Sequence, residues 1–532
     1  MKNSRLFLCI LAAIYFPTIL AAQDYGCEKW EVVDIPIVAT VEIENPFDVR
    51  LGALLTHESG KTMDIPAFYD ENNTWVLRIC PSIEGRWNFE TYSSVAQLAG
   101  LTGRLTVTPN TKKNAHGPLI IAKENPQRLA YEDGTPYFLM AFELDWLFAL
   151  DWDNPGDIPK TKSIISAISA NGFNQVIMNV YAYDANWGEK DKIKPEHNFS
   201  RPRVFPFGGT NEQPDYSTLN VIFFRHLDRV IAYLNEQGIM AHLMIYVWNK
   251  NVNWPAPYSR SDNLYFDYVV KRYQAFPNLI WDISKEALGY GHNDMKYISE
   301  RIDRLRHLSG HRRLLTVHDY AYCSAFPEKV DFISIQEWRP NLYNEMSNVS
   351  QRHANKPVFN IEHGGYEKTT YSIFDGAYTD PIVCLNRNYE CVFAGTYSCY
   401  YWQNTSWYNV IYNPSSLPKE QQPAFRYYKN LVELFQKYNF NTLKPTQFTF
   451  TPYCLTDDSL RYLFYLPQGL IALQGDVPAF RGKKVATTWF DPLSGSYYAG
   501  EIRHFQDGSW LYYKRDIRIR SPFCVAILEI IQ

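Results

Sequence analysis

The feature that most constrains this chain is a change of rhythm near Asn114. Upstream, apolar and polar residues alternate. Downstream, to about residue 440, short apolar runs alternate with helical stretches. The second rhythm is that of βαβ units around a parallel sheet. Eight candidate strands can be marked, at 137–142, 175–180, 240–246, 279–283, 314–317, 332–335, 358–361 and 392–398. Helices fit between them. Residues 219–237 place Val221, Phe224, Leu227, Val230, Ile231 and Leu234 on one stripe, closed by Gly238. Ile298, Ile302 and Leu305 share a face of 294–308, and Ile164, Ile165 and Ile168 mark another helix ended by Asn171 and Gly172. Eight strands with helical crossovers predict a (β/α)8 TIM barrel over residues 115–440.

The flanks read differently. In 23–114, Val41 and Ile43, then Trp75, Leu77 and Ile79, then Trp87, Phe89 and Thr91, follow a strand period. Short strands separated by turns such as Glu71, Asn72 and Asn73 predict a β-sandwich. Residues 441–532 return to strands, at 447–450, 461–466, 470–474, 487–490 and 525–530, predicting a second sandwich. Either module could bind sugar; bracing the barrel is the simpler role.

A barrel of this type carries its chemistry on loops at the C-terminal strand ends. Those ends hold, in order, Glu143, Asp145 and Trp146; Asn179, Tyr181, Tyr183 and Asp184; Trp248 and Asn249; Lys285 and Glu286; His318 and Asp319; Gln336, Glu337 and Trp338; Glu362 and His363; and Tyr400, Tyr401, Trp402 and Gln403. One acid on a surface loop is ordinary. Acids at most strand ends, with tryptophan beside them, suit a sugar site, where carboxylates meet hydroxyls and rings meet C–H faces. Trp187 and Trp254 lie in loops and are weaker candidates. His242 falls inside a strand and reads as a core histidine. The long loop 184–217 is expected to shape the cleft.

Two stretches carry a family resemblance. NLIWDISKEALG (278–289) and KPVFNIEHGGYE (356–367) resemble the strand-four and strand-seven segments of clan A glycoside hydrolases. HGPLIIAKENPQRLAYEDGTPYFLMAFELDW (116–146) is similar to the opening of apiosidase-like barrels of that broad group. Residues 23–114 resemble the sandwich that often precedes such barrels, and WFDPLSGSYY (489–498) resembles their C-terminal module. The resemblance implies an O-glycosyl hydrolase with Glu286 as acid/base and Glu362 as nucleophile. A retaining pair would stand about 5–5.5 Å apart. His318 or Tyr401 would help keep Glu362 ionised. Asp145, Trp146, Asn179, Trp248, Lys285, His318, Glu337, Trp338 and Trp402 are the expected substrate-binding set.

One departure stands out. The clan places asparagine before the acid/base glutamate, and this chain has Lys285. The lysine either meets an anionic sugar or folds away to pair with a loop acid. It also admits Asp145 or Glu337 as the working acid, an inverting mechanism, or a carbohydrate-binding barrel without turnover.

Lys2, Arg5, an apolar run from 6 to 20 and Ala21-Ala22 read as a secretory leader, 1–22, implying a periplasmic or secreted protein. Its loss would take the net charge from −4 to −6, which leaves no basic footprint for nucleic acid. No later stretch suits a membrane span. Nine cysteines show no CxxC pair or zinc spacing; Cys27 with Cys80, or Cys454 with Cys524, could bridge or stay as thiols. There is no G-x-S-x-G elbow, H-E-x-x-H helix or phosphate loop. No metal or cofactor is expected, and the partner is a carbohydrate.

Overall fold

The computed structural model describes residues 23–186, 190–291, 294–371, 378–402 and 407–531. The expected leader, Trp187 and Gln403 lie outside the described residues.

Eight parallel strands form the centre: β1 (Met140–Glu143), β2 (Gln175–Asn179), β3 (Met240–Val247), β4 (Leu279–Lys285), β5 (Leu315–His318), β6 (Ile333–Gln336), β7 (Val358–Glu362) and β8 (Tyr397–Trp402). Hydrogen-bonded pairing runs β5-β4-β3-β2-β1-β8-β7-β6. The last gap, between β5 and β6, is bridged from the side. Thr316 Oγ1 donates to Phe332 O and meets Ser334 Oγ, both at 3.0 Å, and Asp331 N donates to Leu315 O at 2.8 Å. Nearly every strand residue is buried, because helices cover the outside and side chains fill the inside.

The helices are α1 (Pro159–Ser169), α2 (Val221–Glu236), α3 (Arg260–Tyr273), α4 (Met295–Leu308), α5 (Tyr320–Ala325), α6 (Leu342–Arg352), α7 (Pro381–Phe393) and α8 (Phe425–Lys437). Their starts are chemically marked. Asn220 accepts from Phe223 N before α2, Ser259 from Asp262 N before α3, and Asp294 from Lys296 N before α4. The α2 stripe is buried as its spacing requires.

The eighth strand departs from expectation. Val392 and Phe393 finish α7 instead of opening a strand. Gly395, at φ 81°, turns the chain, and the strand follows from Tyr397. An apolar run by itself does not distinguish the end of a buried helix from the start of a buried strand.

The N-terminal region forms a five-stranded sheet (Gln23–Glu28, Thr102–Thr108, Gly85–Ser93, Leu51–His57, Thr62–Pro66) facing a three-stranded one (Val33–Val38, Thr74–Ile79, Phe68–Tyr69). Trp75, Leu77, Ile79, Trp87 and Phe89 fill the space between. Val41 and Ile43 lie outside the strands; Val41 is exposed. The opposite face of Thr74–Ile79 packs on the barrel. There Arg78 binds Asp34 at 2.7 Å and Asp228 of α2 at 3.1 Å, and Arg272 of α3 binds Asp228 at 2.7 Å.

The C-terminal region holds a six-stranded sheet (Lys444–Thr446, Tyr453–Thr456, Arg461–Leu466, Cys524–Ile531, Lys484–Asp491, Ser496–His504) and a two-stranded one (Ala472–Asp476, Trp510–Lys514). Tyr453 stacks on Tyr343 of α6 at 3.5 Å, and Asn430 of α8 donates to Pro492 O at 2.9 Å. Among the described residues all eight cysteines are free thiols, Cys27, Cys80, Cys454 and Cys524 included. No described helix is long and apolar enough to cross a membrane.

Candidate active site

Two ladder irregularities shape the barrel mouth. The β4–β5 register shifts between Asp282 and Lys285, and the β6–β7 register shifts between Ile335 and Gln336. Such bulges re-aim the side chains beyond them. After the first, Glu286 takes a left-handed backbone, φ 56°, with its N–H on His318 O at 3.2 Å. That conformation is costly for a residue with a Cβ, and it persists where the surroundings hold it. After the second, Gln336 stands opposite Glu362.

Glu286, His318 and Glu362 thereby converge: each offers one side-chain atom within 4.8 Å of the others. The two carboxylates are held differently. Asn249 Nδ2 donates to Glu286 Oε2 at 2.6 Å. Glu362 Oε2 accepts from Gln336 Nε2 at 2.6 Å and Tyr366 OH at 3.0 Å. Glu362 Oε1 lies 2.9 Å from Lys285 Nζ and 3.5 Å from His318 Nε2. Lys285 also reaches Glu143 Oε1 at 2.6 Å and Asp145 Oδ2 at 3.3 Å, while being 2% exposed. Lys250, equally buried, sits 3.6 Å from Asp145 and 3.7 Å from the Trp407 ring centre.

The electrostatics separate the pair. Burial, and then the nearby Glu362 carboxylate, push Glu286 above the usual carboxylate range. Burial would raise Glu362 as well, but Lys285, with His318 and Lys250, outweighs it and holds this carboxyl below its ordinary value. Burial would strip Lys285 of its proton, yet Asp145, Glu143 and Glu362 keep the ammonium charged. Burial drives the fully enclosed Glu143 well above the ordinary range against the pull of Lys285. Burial lowers His318 to about 4, so the imidazole is neutral near neutrality. One carboxyl thus favours its proton while its neighbour favours ionisation.

Residues 123–435 match the model of the apiosidase-like catalytic domain. The chain belongs to that family. It is a glycoside hydrolase. Residues 26–94 match a domain family of unknown function, DUF5060. The fold is shared with a Bacteroides vulgatus protein described as a candidate glycoside hydrolase, at a TM-score of 0.75 and 19% identity, covering 96% of this chain and 100% of that one. A family 5 glycoside hydrolase from the same species gives a TM-score of 0.56 and 16% identity, over 78% of this chain and 94% of that one. No curated protein matches the chain in sequence.

In this apiosidase-like barrel most of the expected site residues fall into three groups. Asp145, Lys285, His318, Glu286 and Glu362 share one cluster. Trp248 and Trp338 are half-buried at the rim, Trp248 stacked on Tyr246 at 5.7 Å and Trp338 against Tyr366 at 5.4 Å. Gly364, at φ 79°, leaves room for that ring: a Cβ there would come 3.0 Å from it. Trp146, Asn179 and Trp402 are fully enclosed, at 0%, 0% and 1% exposure. Glu337 stands apart, its carboxylate bound by Arg339, which also pairs with Glu345 at 2.9 Å. Asp184 is bound by Lys190 and Arg201. His242 is a core group, 3.0 Å from Asp282 and 3.2 Å from Gln175. Trp254 donates to Val247 O at 2.9 Å. His363 lies 2.8 Å from Cys399 O.

Sequence reasoning passed over five groups. Glu143, Asn249 and Gln336 are visible at strand ends but carry no role there. Lys250 has no motif around it. Tyr366 lies four residues past Glu362, a spacing that the Gly364-Gly365 turn alone makes meaningful.

Proposed function

We propose that this hydrolase acts with retention on a polysaccharide or oligosaccharide, with Glu286 as acid/base and Glu362 as nucleophile. The observation that carries this reading is the approach of one oxygen of each carboxyl to within 4.8 Å. Retaining pairs stand about 5–5.5 Å apart, whereas inverting pairs need about 6.5–9.5 Å to admit water. The opposite displacement of the two pKa values supports the same assignment.

In the first step a Glu362 oxygen bonds to the anomeric carbon. The glycosidic C–O bond breaks, and the leaving oxygen takes the proton of Glu286. In the second step Glu286, now ionised, takes a proton from water as that water attacks the anomeric carbon. The ester bond breaks and its electron pair returns to Glu362. The half-buried rim of Trp248, Asn249 and Trp338 is where the sugar enters. We also place the enzyme outside the cytoplasm, on the leader-like residues 1–22; N-terminal sequencing of exported protein tests this.

Proton NMR of the first anomer released from a hydrolysed glycan is the decisive experiment. Retention is expected, and inversion would sink the assignment. Glu286→Gln and Glu362→Gln should each lose turnover about 1000-fold or more while keeping glycan binding.

A further inference from the structure

Lys285 directly precedes Glu286 and is 2% exposed, with its Nζ among three carboxylates. An ammonium has three N–H donors and no acceptor. Here Nζ donates to Glu143 Oε1 at 2.6 Å and to Asp145 Oδ2 at 3.3 Å, and it forms an ion pair with Glu362 Oε1 at 2.9 Å. The ammonium is thus turned towards the protein's own acids, Glu362 among them.

We propose that Lys285 is a positioning residue that acts through Glu362: it aims and ionises the nucleophile before attack and receives the carboxylate back when the glycosyl ester breaks. The proposal rests on Glu362 being the nucleophile. Esterification removes the negative charge of Glu362, and a buried ammonium with no counter-charge would be costly. Asp145 on the β1 side prevents that, because Lys285 stays paired with it while Glu362 carries the sugar, and the Glu143 carboxyl remains an acceptor for the ammonium. Lys285 keeps its proton throughout, and no atom is transferred to or from it. The other charged or titratable groups facing Glu362 are Lys250 after β3, Glu286 and the Tyr290 phenol after β4, His318 on β5, the Tyr366 phenol after β7, and the Cys399 thiol and Tyr401 phenol on β8. Among them Lys285 is the nearest cation, at 2.9 Å.

The test is the pH profile of kcat/KM for Lys285→Met and Lys285→Arg on a glycan that the unaltered enzyme hydrolyses. Attack needs ionised Glu362, so removing the ammonium should raise the acidic limb by about 1–3 pH units. Lys285→Met should lower kcat about 100-fold with KM within about threefold. Lys285→Arg, which keeps the charge, should return the limb towards its original position. An unmoved limb in folded Lys285→Met, or a loss confined to KM, would overturn the proposal. If Lys285→Met fails to fold, infrared difference spectra of the unaltered enzyme against Glu362→Gln read the Glu362 carboxylate band directly. A band that titrates at or above the ordinary glutamate pKa then counts against the proposal. The nucleophile assignment is tested separately by Glu362→Gly with sodium azide. A glycosyl azide of inverted configuration supports it. No azide product with an intact fold removes that assignment, whatever Lys285→Met does.

Discussion

Asn249 Nδ2 lies 2.6 Å from Glu286 Oε2 and fixes which oxygen of that carboxyl can hold a proton. An oxygen accepting from an amide is a poor site for a proton, so Oε1 carries it. Asn249→Ala should lower kcat about 10–100-fold, with the pH limbs little altered. Asn249→Asp places a second carboxylate there and raises Glu286 further. Activity needs Glu286 protonated and falls as pH rises through its pKa, so the alkaline limb should move to higher pH. Profiles of kcat/KM against pH read both outcomes.

The half-buried and the enclosed tryptophans should respond differently. Trp248 and Trp338 are half-buried, so Trp248→Ala and Trp338→Ala should raise KM about 3–10-fold, the worth of one ring contact, with little change in Tm. Trp146 is fully enclosed, so Trp146→Ala should cost about 3–5 kcal/mol of stability by opening a cavity. Kinetics alongside thermal unfolding separate the two effects.

Asp228 joins the N-terminal sandwich to the barrel through Arg78 and Arg272, which are 6% and 1% exposed. Asp228→Ala leaves two enclosed guanidinium groups short of an acid. A loss of about 3–5 kcal/mol is expected. Asp228→Asn should lose less, because its amide oxygen still accepts. Calorimetric Tm values check the order.

Glu367 gives stability a pH dependence. Burial, against hydrogen bonds from Tyr400 OH and Ala424 N, raises it from 4.5 to about 7. The folded state therefore favours the protonated form. Its contribution is fully present below about 4.5 and is lost as pH rises to about 7. Glu367→Gln cannot ionise, so its Tm relative to the unaltered enzyme should climb across that window. The full change is on the order of 3 kcal/mol. A Tm difference that stays flat from pH 4.5 to 8 would refute this.

Much of the architecture could be read from periodicity. The α2 stripe was readable because burial repeats every three to four residues, and the barrel because seven of its strands stood out as short apolar runs. The eighth was misplaced, since Val392 and Phe393 are buried in α7 much as they would be in a strand. In the sandwich, the alternation of Thr74–Ile79 correctly marked an inner face. It gave no sign that Arg78, on the other face, is buried against α2 and α3.

The sequence by itself determined the barrel, its flanking β regions and the strand ends where Glu286 and Glu362 stand, because these follow from local period and chain order. Only the tertiary structure decided what each acid is worth. Glu337 and Asp145 look alike along the chain, yet one is bound by Arg339 and the other shares Lys285 with Glu362. Register shifts in two ladders and the left-handed turn at Glu286 set those partnerships. Proton affinity depends on burial and on charges a few ångströms away, and such neighbours come from strands far apart in the chain.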